Sequence, residues 1–85
     1  MEQGIREKAE RFKVKAEIFL NKKIQAFIVD VENNFYFCDI KSVGENFVSV
    51  FCFAGKRKGK SDKLYFIEIL RFEEYEELES WRVEK

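Results

Sequence analysis

The stretch Lys56-Arg57-Lys58-Gly59-Lys60-Ser61-Asp62-Lys63 concentrates five cations in eight residues, relieved only by Asp62. Cations grouped in this way can engage phosphates through contacts that ignore sequence and weaken with salt. The same cluster suits a solvated hairpin tip whose charge keeps a strand edge from aggregating. Sixteen cations against sixteen anions give a net charge of zero, unlike a strongly basic nucleic-acid binder. An acidic run follows: Glu73, Glu74, Glu76, Glu77 and Glu79. In a head-to-tail assembly the basic loop of one copy can meet the acidic tail of the next, setting register more than affinity. A plain solvated helix end is the other outcome.

Little in the chain suits catalysis. There is no histidine to act as a general base near neutral pH. The serines have no evident activating partner, and Gly55 to Gly59 joins strands instead of opening a helix that could cradle a phosphate. The expectation is a protein that is not an enzyme, with no cofactor, no metal and no small-molecule substrate. Cys38 and Cys52 are the only cysteines. Without histidine or further cysteine they cannot complete a zinc site. Opposed on neighbouring antiparallel strands they would lie within disulfide range, but a cytosolic setting favours buried thiols.

The elements that position these residues follow from period and turn chemistry. Phe35 to Val43 and Phe47 to Ala54 are dense in β-branched and aromatic residues and flank Gly44-Glu45-Asn46, the centre of a β-meander. With Val43 facing Phe47 across the turn, Ile40 faces Val50 and Cys38 faces Cys52. One face then carries Tyr36, Cys38, Ile40, Val48, Val50 and Cys52. The other carries Phe35, Phe37, Phe51 and Phe53, interrupted by Asp39 and Ser49. Both faces are too apolar for a one-sided sheet, so the sheet must curl round its own core or be covered elsewhere.

Ile24 to Val31 reads as a first strand ending at Asn33-Asn34, residues that tolerate a left-handed turn. Lys63 to Phe72 resumes the strand pattern, with a break near Ile67-Glu68 into two short strands. At the N-terminus Ile5, Ala9, Phe12, Ala16 and Phe19 share one helical face. Phe12, Val14, Ala16, Ile18 and Leu20 also alternate as a strand would, but the helical period covers the longer window. The sequence predicts a single domain over 1–85: a helix at about 2–20, a barrel at about 24–73, and an acidic tail at 73–85 that places Tyr75, Leu78 and Trp81 among glutamates. Closing short curved strands into a barrel would remove exposed edges.

With 46% apolar residues and ten phenylalanines the chain is globular. A Lys/Glu-rich, amide-poor composition is the kind thermophile proteins show. No apolar run is long enough to span a bilayer and no signal-peptide core is present, so the expected location is cytoplasmic, with no membrane partner.

This order of elements resembles the Sm-like (LSm) family. The likeness is carried by Ile24 to Val31 as first strand, by Phe35-Tyr36-Phe37-Cys38-Asp39-Ile40-Lys41-Ser42-Val43 as a long bent second strand, and by Leu64 to Tyr75 as the closing pair. The resemblance implies a helix-capped, strongly bent five-stranded SH3-like barrel that assembles into homo-oligomeric rings associated with RNA. Two family signatures are missing. Gly44-Glu45-Asn46-Phe47-Val48 stands where uridine-binding members have Asp-x-x-Met-Asn, and Tyr65-Phe66-Ile67-Glu68 stands where they have Arg-Gly. A base pocket needs a polar group for the base edge and a planar group to stack on it. Phe47 and Phe66 are the candidate stacking rings, and Lys56, Arg57, Lys58, Lys60 and Lys63 the candidate phosphate contacts. The expected function is therefore a non-catalytic ring-forming module associated with RNA; the alternative is a protein-interaction or structural oligomerisation domain that binds no nucleic acid. A five-stranded oligonucleotide-binding barrel fits the same strand pattern.

Overall fold

The computed structural model describes residues 2–75, with side chains from Glu7 onward. The chain runs through α1 (Glu2–Lys22), β1 (Gln25–Asp30), β2 (Phe35–Val43), β3 (Phe47–Ala54), β4 (Ser61–Tyr65) and β5 (Ile69–Glu74). Single 3-10 turns occupy Gly55–Arg57, between β3 and β4, and Phe66–Glu68, between β4 and β5. The second lies at the predicted break in the Lys63–Phe72 run. Leu78, Trp81 and the acidic residues Glu76, Glu77 and Glu79 lie outside the described residues.

The strands form one antiparallel sheet in the order β4-β3-β2-β1-β5. It curls strongly but does not close, because β4 pairs only with β3 and β5 only with β1. The 3-10 turn carries the chain from one end of the sheet to the other. It is tied by the Phe66 N–H to the Asn46 carbonyl (3.0 Å) and by the Val31 N–H to the Glu68 carbonyl (2.8 Å).

The predicted inner face holds: Tyr36, Cys38, Ile40, Val48, Val50 and Cys52 are buried, joined by Leu64, Phe66, Ile69 and Phe72. Cys38 faces Cys52 and Ile40 faces Val50, as the alternation requires. Val43, however, faces Val48 and not Phe47. A bulge between Ile40 and Ser42 absorbs one residue of β2, which shifts the register and sharpens the bend.

Helix α1 closes one side of the core. Ala16 and Phe19 are buried while Val14 and Ile18 face solvent, so the helical period wins over the competing alternation. Phe12 stacks on Phe72 (6.0 Å) and Phe19 meets the same ring edge-on (5.2 Å). The helix runs two residues past the expected end. Lys23 adopts φ 58°, and the Ile24 and Lys23 N–H groups return to the carbonyls of Phe19 (2.9 Å) and Leu20 (3.3 Å). That is a left-handed C-terminal stop made without glycine.

The outer face is a chain of rings: Phe27 against Phe35 and Phe37, and Tyr75 against Phe37 and Phe53. Phe35 remains 55% exposed. At the β1–β2 turn Asp30 is 9% exposed, and its carboxylate accepts hydrogen bonds from the Glu32 and Asn34 backbone N–H groups (both 2.9 Å), the Asn34 side-chain amide (3.1 Å) and the Tyr36 hydroxyl (2.9 Å). Asn33, at φ 69°, supplies the left-handed residue the turn needs.

Candidate functional site

The basic stretch divides once folded. Lys56, Lys58 and Lys60 are exposed on the β3–β4 loop. Arg57 turns inward: its guanidinium lies 4.9 Å over the Tyr36 ring, and Nη1 sits 3.3 and 3.4 Å from the two Asp62 carboxylate oxygens. Two glycines let the loop fold this tightly, Gly55 at φ 81° and Gly59 at φ 83°. Lys63 leaves the cluster altogether, because it lies on β4 with its ammonium 4.3 Å over the Phe47 ring.

Phe47 pairs with Tyr65 at the end of the β3–β4 hairpin remote from the basic loop. From Ser61 to Tyr65 is four residues, or about 13 Å of strand. Phe47 is half-buried, meets the Tyr65 ring at 6.1 Å, and folds over Gly44 so closely that a Cβ there would lie 2.5 Å from the ring. Phe66 is corrected as a stacking candidate. It is 2% exposed, since it opens the 3-10 turn after β4 and packs into the core with Leu64, Ile69 and Phe72.

Beside these rings lies a groove of about 560 Å³ between α1, the β2–β3 turn and the turn that follows β4. Helix α1 contributes Ala9, Glu10 and Lys13; the β2–β3 turn contributes Glu45 and Asn46; Tyr65 and Ile67 flank the edge of Phe66 on the remaining wall. The groove therefore combines an exposed aromatic ring, an exposed amide and a cation, the set that can hold a planar heterocycle by its face and edge. Two carboxylates against one ammonium make its interior unsuited to a phosphate, which would have to sit outside, toward Lys63. Sequence inspection missed Lys13 as a site residue. Lys13 is separated from Asn46 by the whole of β1 and β2, and only the fold brings them together.

Cys38 and Cys52 are both free and fully buried. Burial is the main cause that pushes both thiols above their ordinary pKa; at Cys52 the nearby Asp62 carboxylate, 3.9 Å from Sγ, adds to it. Such thiols are poor nucleophiles. No group of metal-ligating side chains occurs among the described residues, and none of their helices is long and apolar enough to cross a membrane. No protein-family model, curated protein or solved structure gives a significant match to this chain.

Proposed function

We propose that the chain is a divergent Sm-like module, a small, open SH3-like barrel that assembles head to tail into a homo-oligomeric ring and holds single-stranded RNA without catalysing a reaction. The observation that carries this reading is the pair of unlike open edges, β4 at one end of a curled sheet and β5 at the other. An unpaired edge is a template for another chain, and pairing between unlike edges is heterologous, closing into a ring when the rotation per copy divides the circle. Ile67, on the turn that joins the two edge strands, and Leu70, on β5, are both exposed and offer apolar area for the seam. The groove supports the RNA part. Tyr65 offers a face for a base, Asn46 a partner for its edge, and Lys63 a cation for the adjoining phosphate. A ring would repeat these weak contacts and multiply them by avidity.

Glu10 and Glu45 favour a second reading. Two carboxylates beside Lys13 suit a cationic peptide, which would make this a protein-interaction or structural oligomerisation domain without nucleic-acid binding.

The test is native mass by light scattering at low and high salt, followed by binding of a labelled oligouridine. Six or seven chains of 10.2 kDa should give about 60 to 70 kDa at both salts. A monomer or plain dimer overturns the ring. Asn46→Ala removes only an exposed side chain and should weaken RNA binding by roughly fivefold, the value of one hydrogen bond. Unchanged affinity in that variant removes the groove from the RNA site.

A further inference from the structure

Arg57 differs from the lysines around it. Its guanidinium is held on two sides, by the Tyr36 ring below it and Asp62 beside it, and its backbone is held separately, the carbonyl accepting from the Lys60 N–H (3.0 Å). Tyr36 in turn is fixed by its hydroxyl bond to the nearly buried Asp30. The loop backbone is pinned at two further points, Gly59 N–H to the Cys52 carbonyl (2.8 Å) and Lys58 N–H to the Gly55 carbonyl (3.2 Å). A loop held in this way presents Lys56, Lys58 and Lys60 outward from a fixed frame.

We propose that Arg57 is a positioning residue, and that the clamp it forms with Tyr36 and Asp62 holds Lys56, Lys58 and Lys60 as a preorganised contact for nucleic-acid phosphates. This rests on the RNA-binding reading above and places a second, purely electrostatic contact about 13 Å of strand from the groove. Preorganisation is what distinguishes it from a mobile charged tip. Side chains and backbone already ordered lose less entropy on binding. Arg57 is the positioning member of the loop, because its Nη1 is directed at both oxygens of Asp62 while its guanidinium lies over the Tyr36 ring.

The sign of one substitution separates this arrangement from plain charge attraction. Asp62→Asn removes a negative charge, so attraction alone predicts tighter oligouridine binding. The clamp predicts binding about threefold to tenfold weaker, because Arg57 loses its anchor and the lysine frame loosens. Arg57→Lys keeps the charge but cannot reproduce the planar guanidinium lying over the Tyr36 ring, and should weaken binding similarly with an unchanged salt slope. Changing Lys56, Lys58 and Lys60 together to Gln should instead flatten the slope of log affinity against log salt by about 2, near 0.7 per phosphate lost.

Fluorescence anisotropy with labelled oligouridine reads all three variants. Amide exchange at Lys58, Gly59 and Lys60 reads the clamp without any ligand, and should accelerate in Asp62→Asn and Arg57→Lys relative to β2. Tighter binding by Asp62→Asn, or unchanged exchange at those amides, overturns the positioning role. Failure of the wild type to bind at any salt, with exchange still accelerated in the variants, overturns the RNA reading and the phosphate contact while leaving the clamp intact.

Discussion

Tyr36→Phe deletes a single oxygen and leaves the ring that supports Arg57 in place. Tyr36 is buried, and its hydroxyl donates to one oxygen of a carboxylate that is itself 9% exposed. Water therefore has little access to replace the lost partner. A hydrogen bond to a charged acceptor contributes about 1.5 to 3 kcal/mol net, so a loss near 2 kcal/mol is expected at neutral pH. For a domain of this length that corresponds to roughly 8 to 16 °C in Tm.

The pH dependence makes the prediction sharper. Burial alone would raise the pKa of Asp30, but bonds from Asn34, Tyr36 and Glu32 outweigh it and leave the carboxyl below its usual 3.8. A depressed carboxylate stabilises the fold above the unfolded value and ceases to do so as pH falls through the folded one. The gap between wild type and Tyr36→Phe should therefore narrow below about pH 4 as the acceptor loses its charge. At the alkaline end the signs reverse. Burial, the Asp30 bond and the Asp30 charge push the Tyr36 phenol up from 10.0 to about 12. Its contribution is complete below pH 10 and fades as pH rises through about 12, a limb the phenylalanine variant lacks. Urea unfolding followed by far-UV circular dichroism, at fixed protein concentration from about pH 2 to about pH 12.5, measures both limbs. A loss under about 0.5 kcal/mol, or a gap that does not change with pH, would show that Asp30 finds a substitute donor and refute the assigned role.

Two further outcomes follow from the packing. The thiols should give no reaction with Ellman's reagent in the native protein and two equivalents per chain after unfolding without reductant; fewer than two would mean a disulfide has formed between Cys38 and Cys52. Gly44→Ala would bring a methyl within 2.5 to 2.9 Å of three Phe47 ring atoms. The ring must then shift, at a cost of about 1 to 3 kcal/mol by denaturant titration, and the double variant with Phe47→Ala should recover most of that loss. Additive losses in the double variant would place the strain elsewhere.

The fold was legible where one residue type dictates one geometry. Alternation along Phe35–Val43 and Phe47–Ala54 puts Cys38 opposite Cys52 and separates the buried face from the aromatic one. What alternation cannot reveal is an irregularity of one residue. The bulge at Ile40–Ser42 leaves no mark in the side-chain types, yet it moves Val43 from Phe47 to Val48. Helix length failed for a related reason. A lysine at φ 58° ends α1, a position where the usual sequence signal is glycine or asparagine. Closure was over-read because apolar faces on both sides of a strand require cover without specifying whether it comes from the same sheet, a helix or another copy.

The site was less legible than the fold because charge is read along the chain while recognition is built across it. Five cations close in sequence looked like one patch, yet a strand and a clamp divide them into three roles. Lys56, Lys58 and Lys60 face solvent, Arg57 is spent on Asp62 and Tyr36, and Lys63 sits over Phe47. The groove shows the converse. Lys13 on the helix, Asn46 in a turn and Tyr65 at a strand end carry no pattern in sequence and become neighbours only because the curl of the sheet brings the β2–β3 and β4–β5 connections under α1. Asp62 links the two cases. In sequence it only dilutes a basic run, whereas in the fold it is the residue whose neutralisation should weaken a polyanion contact despite removing a negative charge.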